Sequence, residues 1–152
     1  MSQRKHRVGS FVRMTLADGS FGYGRLLESP YTAFYDYRST GPESDLDEIA
    51  SKPVLFKIAV RYLASSAWEF IGQRELEDVL TQPVVQFMQD RADVQRCTIF
   101  DSDGNERAAS PQECVHLERA AVWEQDSVEG RLLDAFMGRP NADEEHLKVR
   151  LN

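Results

Sequence analysis

"GSFVRMTLADGSFGYGRLL", residues 9–27, sets three glycines, Gly19, Gly22 and Gly24, within six positions. A dinucleotide-binding loop needs G-x-G-x-x-G between a strand and a helix, so that backbone N–H groups face a pyrophosphate. Here the order is reversed, G-x-x-G-x-G, and the chain reaches Ser29-Pro30 soon after Gly24 instead of opening a helix. The lysine and hydroxyl of a nucleotide P-loop are missing as well. The stretch reads instead as a β-hairpin, because Asp18-Gly19 is a favoured two-residue turn and both flanks alternate as half-buried strands do. That turn sets Ala17 opposite Ser20. One face then carries Leu16/Phe21, Met14/Tyr23 and Val12/Arg25, and the other Thr15/Gly22, Arg13/Gly24 and Phe11/Leu26. Two glycines on one face let a strand coil sharply or let another backbone approach, which suits a small barrel or, alternatively, a surface that receives a partner.

Outward from the hairpin, Tyr31, Tyr35 and Tyr37 share one parity and predict a third strand ending at Thr40-Gly41-Pro42. "ESDLDEIASK" is acidic; Ser44 can cap one helical turn, and Lys52-Pro53 prevents a longer helix, so the segment reads as an exposed loop. Val54–Val60 and Ala67–Gly72 read as a fourth strand and a fifth that returns antiparallel through "RYLASS". Gln73–Leu80 is a loop or short helix, Pro83–Gln89 is strand-like, and Asp103-Gly104 turns a second hairpin between Cys97–Phe100 and Glu106–Ala109. Ser110-Pro111-Gln112-Glu113 is a capping box that starts a short helix. "VHLERAAVWE" is open between helix and strand. Val128, Leu132, Leu133 and Phe136 share one helical face, with Gly138 as C-cap and Pro140 as a stop. The reading is therefore α+β: a small, strongly twisted antiparallel sheet, SH3-like or a partly open barrel, of about six to eight strands, with one or two short C-terminal helices. One domain spans residues 1–152, with 1–6 and 142–152 as flexible ends.

The chain has 152 residues, a net charge of −7, and no apolar run long enough to span a bilayer. The basic N-terminus lacks the apolar core of an export signal, so the expectation is a cytoplasmic protein. Charge is uneven: residues 1–40 hold six Lys/Arg against three Asp/Glu, and residues 41–152 hold twelve against twenty-two. An acidic body steers basic partners and disfavours nucleic acid, although acidity also serves solubility. A barrel with aromatics at Tyr31, Phe34, Tyr35 and Tyr37 beside Arg4, Lys5, Arg7, Arg13, Arg25 and Arg38 could stack bases, yet a pI near 5.0 opposes that class.

The residues offer no catalytic, cofactor or metal set. His6, His116 and His146 lie near no nucleophile motif, and Cys114 and His116 at i, i+2 do not face each other on a helix. Asp101, Asp103, Asn105 and Glu106 resemble the start of a calcium loop, but Gly104 comes too early and Gln112 stands where the closing glutamate belongs. Cys97 and Cys114 have neither C-x-x-C spacing nor a matched histidine pair, so they read as buried free thiols, with a single disulfide as the alternative. The carboxylate runs Glu43, Asp45, Asp47, Glu48 and Glu75, Glu77, Asp78 are solvated faces or, alternatively, a docking surface for a basic protein.

In order and spacing, "VGSFVRMTLADGSFGYGRLL", "AFYDYRS", "LFKIAV", "WEFIG", "PQECVHLERAAVWE" and "VEGRLLDAFMGRPN" resemble the bacterial immunity protein 26 family of polymorphic toxin systems, over roughly Arg7 to Asn141. The resemblance implies a non-enzymatic, cytoplasmic antitoxin that binds and neutralises a cognate secreted toxin domain, possessing no cofactor and using neither nucleic acid nor membrane as partner. The family's aromatic positions correspond to Phe21, Tyr23, Phe34, Tyr35 and Trp68, which read as structural. The toxin-binding candidates are the two carboxylate runs, facing a nuclease or other basic enzyme. The competing classes are a small-barrel module for nucleic acid or peptide and, third, a hydrolase with unrecognised residues.

Overall fold

The computed structural model describes residues 7–152; the expected flexible end at 1–6 lies outside the described residues. The opening hairpin is β1 (Ser10–Thr15) and β2 (Phe21–Leu26), but its register is one residue away from the two-residue-turn expectation. The Leu16 amide donates to the Ser20 carbonyl at 2.7 Å and the Gly19 amide to the Leu16 carbonyl at 2.9 Å, which makes Ala17-Asp18-Gly19 a three-residue loop with Gly19 at φ 85°. Arg13 therefore faces Tyr23, Met14 faces Gly22 and Val12 faces Gly24. A slip of one residue exchanges partners across the whole ladder.

The corrected register explains both glycines. A Cβ on Gly24 would lie 3.1 Å from the Phe34 ring and from Val12, and one on Gly22 would lie 3.2 Å from Leu132 and from Met14. They leave room for the cross-strand side chains of Val12, Met14 and Phe34 and, at Gly22, for Leu132, and no partner is needed to account for them.

β3 (Tyr31–Tyr35) and β4 (Val54–Val60) continue the antiparallel meander, and β5 (Glu69–Gln73) returns to pair with β1 rather than beside β4. A second sheet contains β6 (Val85–Gln89), β7 (Cys97–Asp101) and β8 (Glu106–Ala109). The undecided "VHLERAAVWE" supplies two short strands, β9 (Glu118–Arg119) and β10 (Val122–Trp123), which run parallel to β6 and β4. The sheet orders are β10-β4-β3-β2-β1-β5 and β8-β7-β6-β9. The α+β class holds, while the expected antiparallel barrel of six to eight strands becomes two open, mixed sheets with ten strands among the described residues. Neither parallel pair is visible locally, because each joins segments more than thirty residues apart.

Both faces of the first sheet are covered. On one, α2 (Gln125–Phe136) packs Val128 and Leu132 against Val12, Met14, Leu16, Phe34 and Trp68, each side chain contributing roughly 1.5–3 kcal/mol by leaving water. On the other, α1 (Leu46–Ala50) sets Ile49 among Phe11, Tyr23 and Tyr35. The acidic segment is thus a helix rather than a loop, and its cap is Asp45 instead of Ser44: the Asp45 carboxylate accepts from the Asp47 and Glu48 amides at 3.0 and 3.2 Å. Gln73–Leu80 ends in a 3-10 turn, Asp78–Leu80, and the capping box at Ser110 opens another, Pro111–Cys114, with the Ser110 amide donating to Glu113 at 2.8 Å. Where a charged tail is expected, α3 (Ala142–Leu147) forms instead, and Arg119 donates to the Leu147 and Lys148 carbonyls at its C-terminal end at 2.9 and 3.2 Å.

Gly9, at φ 91°, is more constrained than the two sheet glycines, since a Cβ there would lie 2.1 Å from the Arg74 carbonyl oxygen. In thermal melts the loss of stability is expected to rank Gly9→Ala, then Gly24→Ala, then Gly22→Ala, with the first above about 2 kcal/mol. The flexible ends of Met14 and Leu132 yield at Gly22 more readily than the Phe34 ring does at Gly24. A Gly9→Ala variant as stable as wild type would contradict the close approach.

Candidate functional site

The two carboxylate runs lie about thirty residues apart in sequence, and the structure brings them together. Leu46 of α1 packs on Gly72 of β5, where an added Cβ would lie 2.7 Å from Leu46 Cδ1. Arg74 then joins the runs, pairing with Asp47 through one nitrogen and lying 3.8 Å from Glu77 through the other. The result is one acidic face, and its seven carboxylates have different duties.

Glu77 pairs at 2.7 Å with Arg25, whose side chain has no solvent exposure. Arg25 also donates to the carbonyls of Gly9 at 2.7 Å and of Arg74 and Glu75 at 3.0 Å each, and to the Tyr35 hydroxyl at 3.2 Å. Its guanidinium stacks 4.0 Å above the Phe11 ring. Every donor that a buried guanidinium must satisfy is engaged, which is what makes a fully buried cation tolerable. Glu43 is structural too: its carboxylate accepts from the Tyr37 hydroxyl and the Ser44 and Asp45 amides, and its own amide donates to the Tyr23 hydroxyl at 2.7 Å. Asp45 caps α1 and Asp47 holds Arg74. Glu48 has only a loose contact, 3.7 Å to Lys52, and the exposed Glu75 and Asp78 side chains have no ion pair among the described residues. Glu48, Glu75 and Asp78 are the carboxylates left to meet a partner.

Of the basic residues that favour nucleic acid on sequence grounds, Arg7 is exposed with one long contact, 3.5 Å to the Gln73 side chain, and three others are occupied. Arg25 is buried; Arg13 pairs with Glu69 at 3.1 Å and donates to the Glu43 carbonyl at 2.9 Å; Arg38 pairs with Asp18 at 2.8 Å. Arg4 and Lys5, with His6, lie outside the described residues. Of the aromatics that could stack bases, Phe34 and Tyr35 are buried, while Tyr31 and Tyr37 are half-buried, Tyr37 lying between the Tyr23 ring and the Lys52 ammonium; Tyr23 and Trp68 are buried and Phe21 is half-buried.

The other sequence candidates fall away from chemistry. His116 and His146 are exposed, and His116 follows the 3-10 turn instead of lying within a helix. The Asp101 carboxylate is spent on its own hairpin, accepting from the Asp103 and Asn105 amides at 2.9 and 3.1 Å, and no group of three or more possible metal ligands occurs among the described residues. Cys97 and Cys114 are free and buried side by side with Phe87. Burial, then the neighbouring Cys97, pushes the Cys114 thiol up to about 11, so it stays protonated at neutral pH and is a poor nucleophile. A groove of about 390 Å³ runs between the β4–β5 connection and the start of α2, floored by Leu63 and Trp68 and rimmed by Glu124, Asp126 and Glu129. No sequence signal pointed to it, because its walls come from segments about sixty residues apart.

Residues 7–98 match the family described as immunity protein 26, more than half of the chain. The protein belongs to the immunity protein 26 family. It is thus an immunity protein, and the family implies a toxin protein as partner. No curated protein and no solved structure gives a significant match. The matched span of this immunity protein holds β1 to β6, α1, both carboxylate runs and Arg25; α2, β8 and α3 lie beyond it.

Two outcomes follow from the Arg25 cluster. Arg25→Ala leaves a carboxylate, a hydroxyl and three carbonyls without their donor and is expected to cost about 3–5 kcal/mol, with no rescue by lysine, which lacks the planar fork. The second concerns acid. Burial raises the Glu77 carboxyl, but its own backbone N–H and the Arg25 guanidinium outweigh burial and hold it below its ordinary 4.5. A carboxyl lower in the folded than in the unfolded state adds stability that is complete above its unfolded value and vanishes as pH falls through the folded one. Glu77→Gln is therefore expected to lower Tm at neutral pH and to flatten its fall as pH drops through and below 4.5; a parallel pH profile would show that Glu77 carries no linkage.

Proposed function

We propose that this immunity protein binds and neutralises a cognate secreted toxin domain in the cytoplasm of the producing cell, without enzymatic activity of its own, and that the acidic face of α1 and the Glu75–Asp78 segment docks against a basic surface of that toxin. Family membership over residues 7–98 is the observation that carries the reading. The face supports it in two ways. Its carboxylates converge from two segments, and three of them, Glu48, Glu75 and Asp78, have no firm duty among the described residues. Val79, 65% exposed, adds an apolar contact beside Asp78. A nuclease, whose active site is built to hold phosphates, is the kind of basic enzyme such a face would occlude or sit beside.

Co-expression with the toxin domain encoded immediately upstream tests the function: the pair should elute as one complex and the cells should survive. Neither complex nor survival would end the immunity reading. The acidic face is tested by the triple variant Glu48→Gln, Glu75→Gln, Asp78→Asn, which spares every carboxylate with a structural duty. Its melting temperature should match wild type, while its association rate falls by about tenfold at low salt and becomes less sensitive to salt. An unchanged rate at all salt concentrations would remove this face from the interface.

A further inference from the structure

The second sheet has one open edge, the four-residue β8. β9, at its other side, is two residues long and is held by neighbours: Glu118 pairs with Arg131 of α2 at 2.7 Å, and Arg119 donates to the Leu147 carbonyl at 2.9 Å. β8 pairs only with β7, and Glu106, Arg107 and Ala108 are exposed. The Asp101 amide donates to the Asn105 carbonyl, so alternation along the ladder places Ile99/Arg107 and Cys97/Ala109 as hydrogen-bonded pairs. The N–H and C=O groups of Glu106 and Ala108 then point away from β7, and among the described residues nothing pairs with them.

Natural edges of this kind are usually blunted by a bulge, a proline, a lysine or a covering element. β5, one of the two edges of the first sheet, follows that rule, with a register break opposite Phe11/Val12. β8 is short and carries charge at Glu106 and Arg107, but it has no bulge and no proline, and among the described residues no element covers it. It ends instead in Ala108-Ala109, whose small side chains leave room beside the backbone, and a groove of about 170 Å³ lined by Val85, Ile99, Phe100, Glu106 and Arg107 opens next to it.

We propose that β8 receives an extended strand of the toxin, which adds to the sheet through the outward groups of Glu106 and Ala108. This rests on the immunity reading above. A second copy of the chain fits the edge poorly, because a two-fold centred on Glu106 opposes like carboxylates and one centred on Arg107 opposes like guanidiniums. A two-fold centred on Ala108 would set Glu106 opposite Ser110, whose amide already donates to Glu113 at 2.8 Å. A heterologous strand meets none of these conflicts. Charge defines it further: Arg107 is matched internally by Glu113 at 2.9 Å, whereas Glu106 and the exposed Asp103 at the hairpin end have no ion pair among the described residues. The incoming strand therefore carries a lysine or arginine where it passes Glu106.

Ala108→Pro tests the edge selectively. The Ala108 amide bonds to nothing among the described residues, and proline is tolerated in an edge strand where the N–H faces solvent. The variant is expected to melt like wild type, yet to bind the co-expressed toxin domain at least tenfold more weakly. Amide hydrogen exchange gives a second readout without mutation: the Glu106 and Ala108 amides exchange freely in the isolated protein and become protected in the wild-type complex. Full-affinity binding by Ala108→Pro, or unprotected amides in an intact complex, overturns the edge proposal and leaves the immunity function standing. Failure of the wild-type pair to associate overturns both. A wild-type dimer that Ala108→Pro dissolves overturns the toxin strand in favour of a second copy.

Discussion

A guanidinium without solvent access is the constraint from which the rest of this structure follows. Arg25 projects from β2 into the space between β1, β3 and the chain after β5, and a cation there is tolerable only if nearly every donor is satisfied. The Gly9 and Arg74 carbonyls, the Glu75 carbonyl, the Tyr35 hydroxyl and the Glu77 carboxylate meet that demand together. The same set of bonds brings the end of β5 against the start of β1. It also explains why Gly9 has no side chain, since the carbonyl that serves Arg25 lies where a Cβ would be. Pairing β5 with β1 rather than β4 is thus tied to one buried charge.

From that pairing the acidic face follows. With β5 anchored beside β1, Arg74 reaches Asp47, Leu46 settles on Gly72, and α1 closes over Phe11, Tyr23 and Tyr35. Four of the seven carboxylates are consumed in building the arrangement, and three are left outward. Stability and recognition are divided residue by residue within one short stretch, so a partner can be engaged by Glu48, Glu75 and Asp78 without loosening the frame beneath. A second buried arginine, Arg131, repeats the pattern on the opposite side: it pairs in a fork with Glu118 and stacks 3.7 Å above Phe56, which ties α2 to the joint between the two sheets.

The two hairpins show how far turn residues reach. Asp-Gly marks both, and both are three-residue loops with glycine at positive φ, at Gly19 and Gly104. The dipeptide announces a hairpin but leaves open whether two or three residues make its loop, and that one residue changes every cross-strand partner. In the first hairpin the choice is settled by the side chains that must fit: Leu132 from α2 occupies the space above Gly22, and the cross-strand Phe34 ring of β3 the space above Gly24. Both surfaces of the sheet are buried, so alternation in β1 could not indicate which register was right.

What the sequence by itself determined was local: the hairpins, the capping box at Ser110, the apolar face of Val128, Leu132, Leu133 and Phe136, the burial of the aromatics, and the family resemblance. These depend on neighbours within a few positions, where propensity and periodicity act directly. Tertiary structure alone decided the parallel strands β9 and β10, the return of β5 to β1, the change of Arg25 from a candidate phosphate contact to a buried hub, and the meeting of two acidic segments through Arg74. Each joins residues far apart in the chain. Their free energy comes from desolvation and from donors and acceptors that find one another only once the layers are packed, and no short-range pattern encodes which will meet.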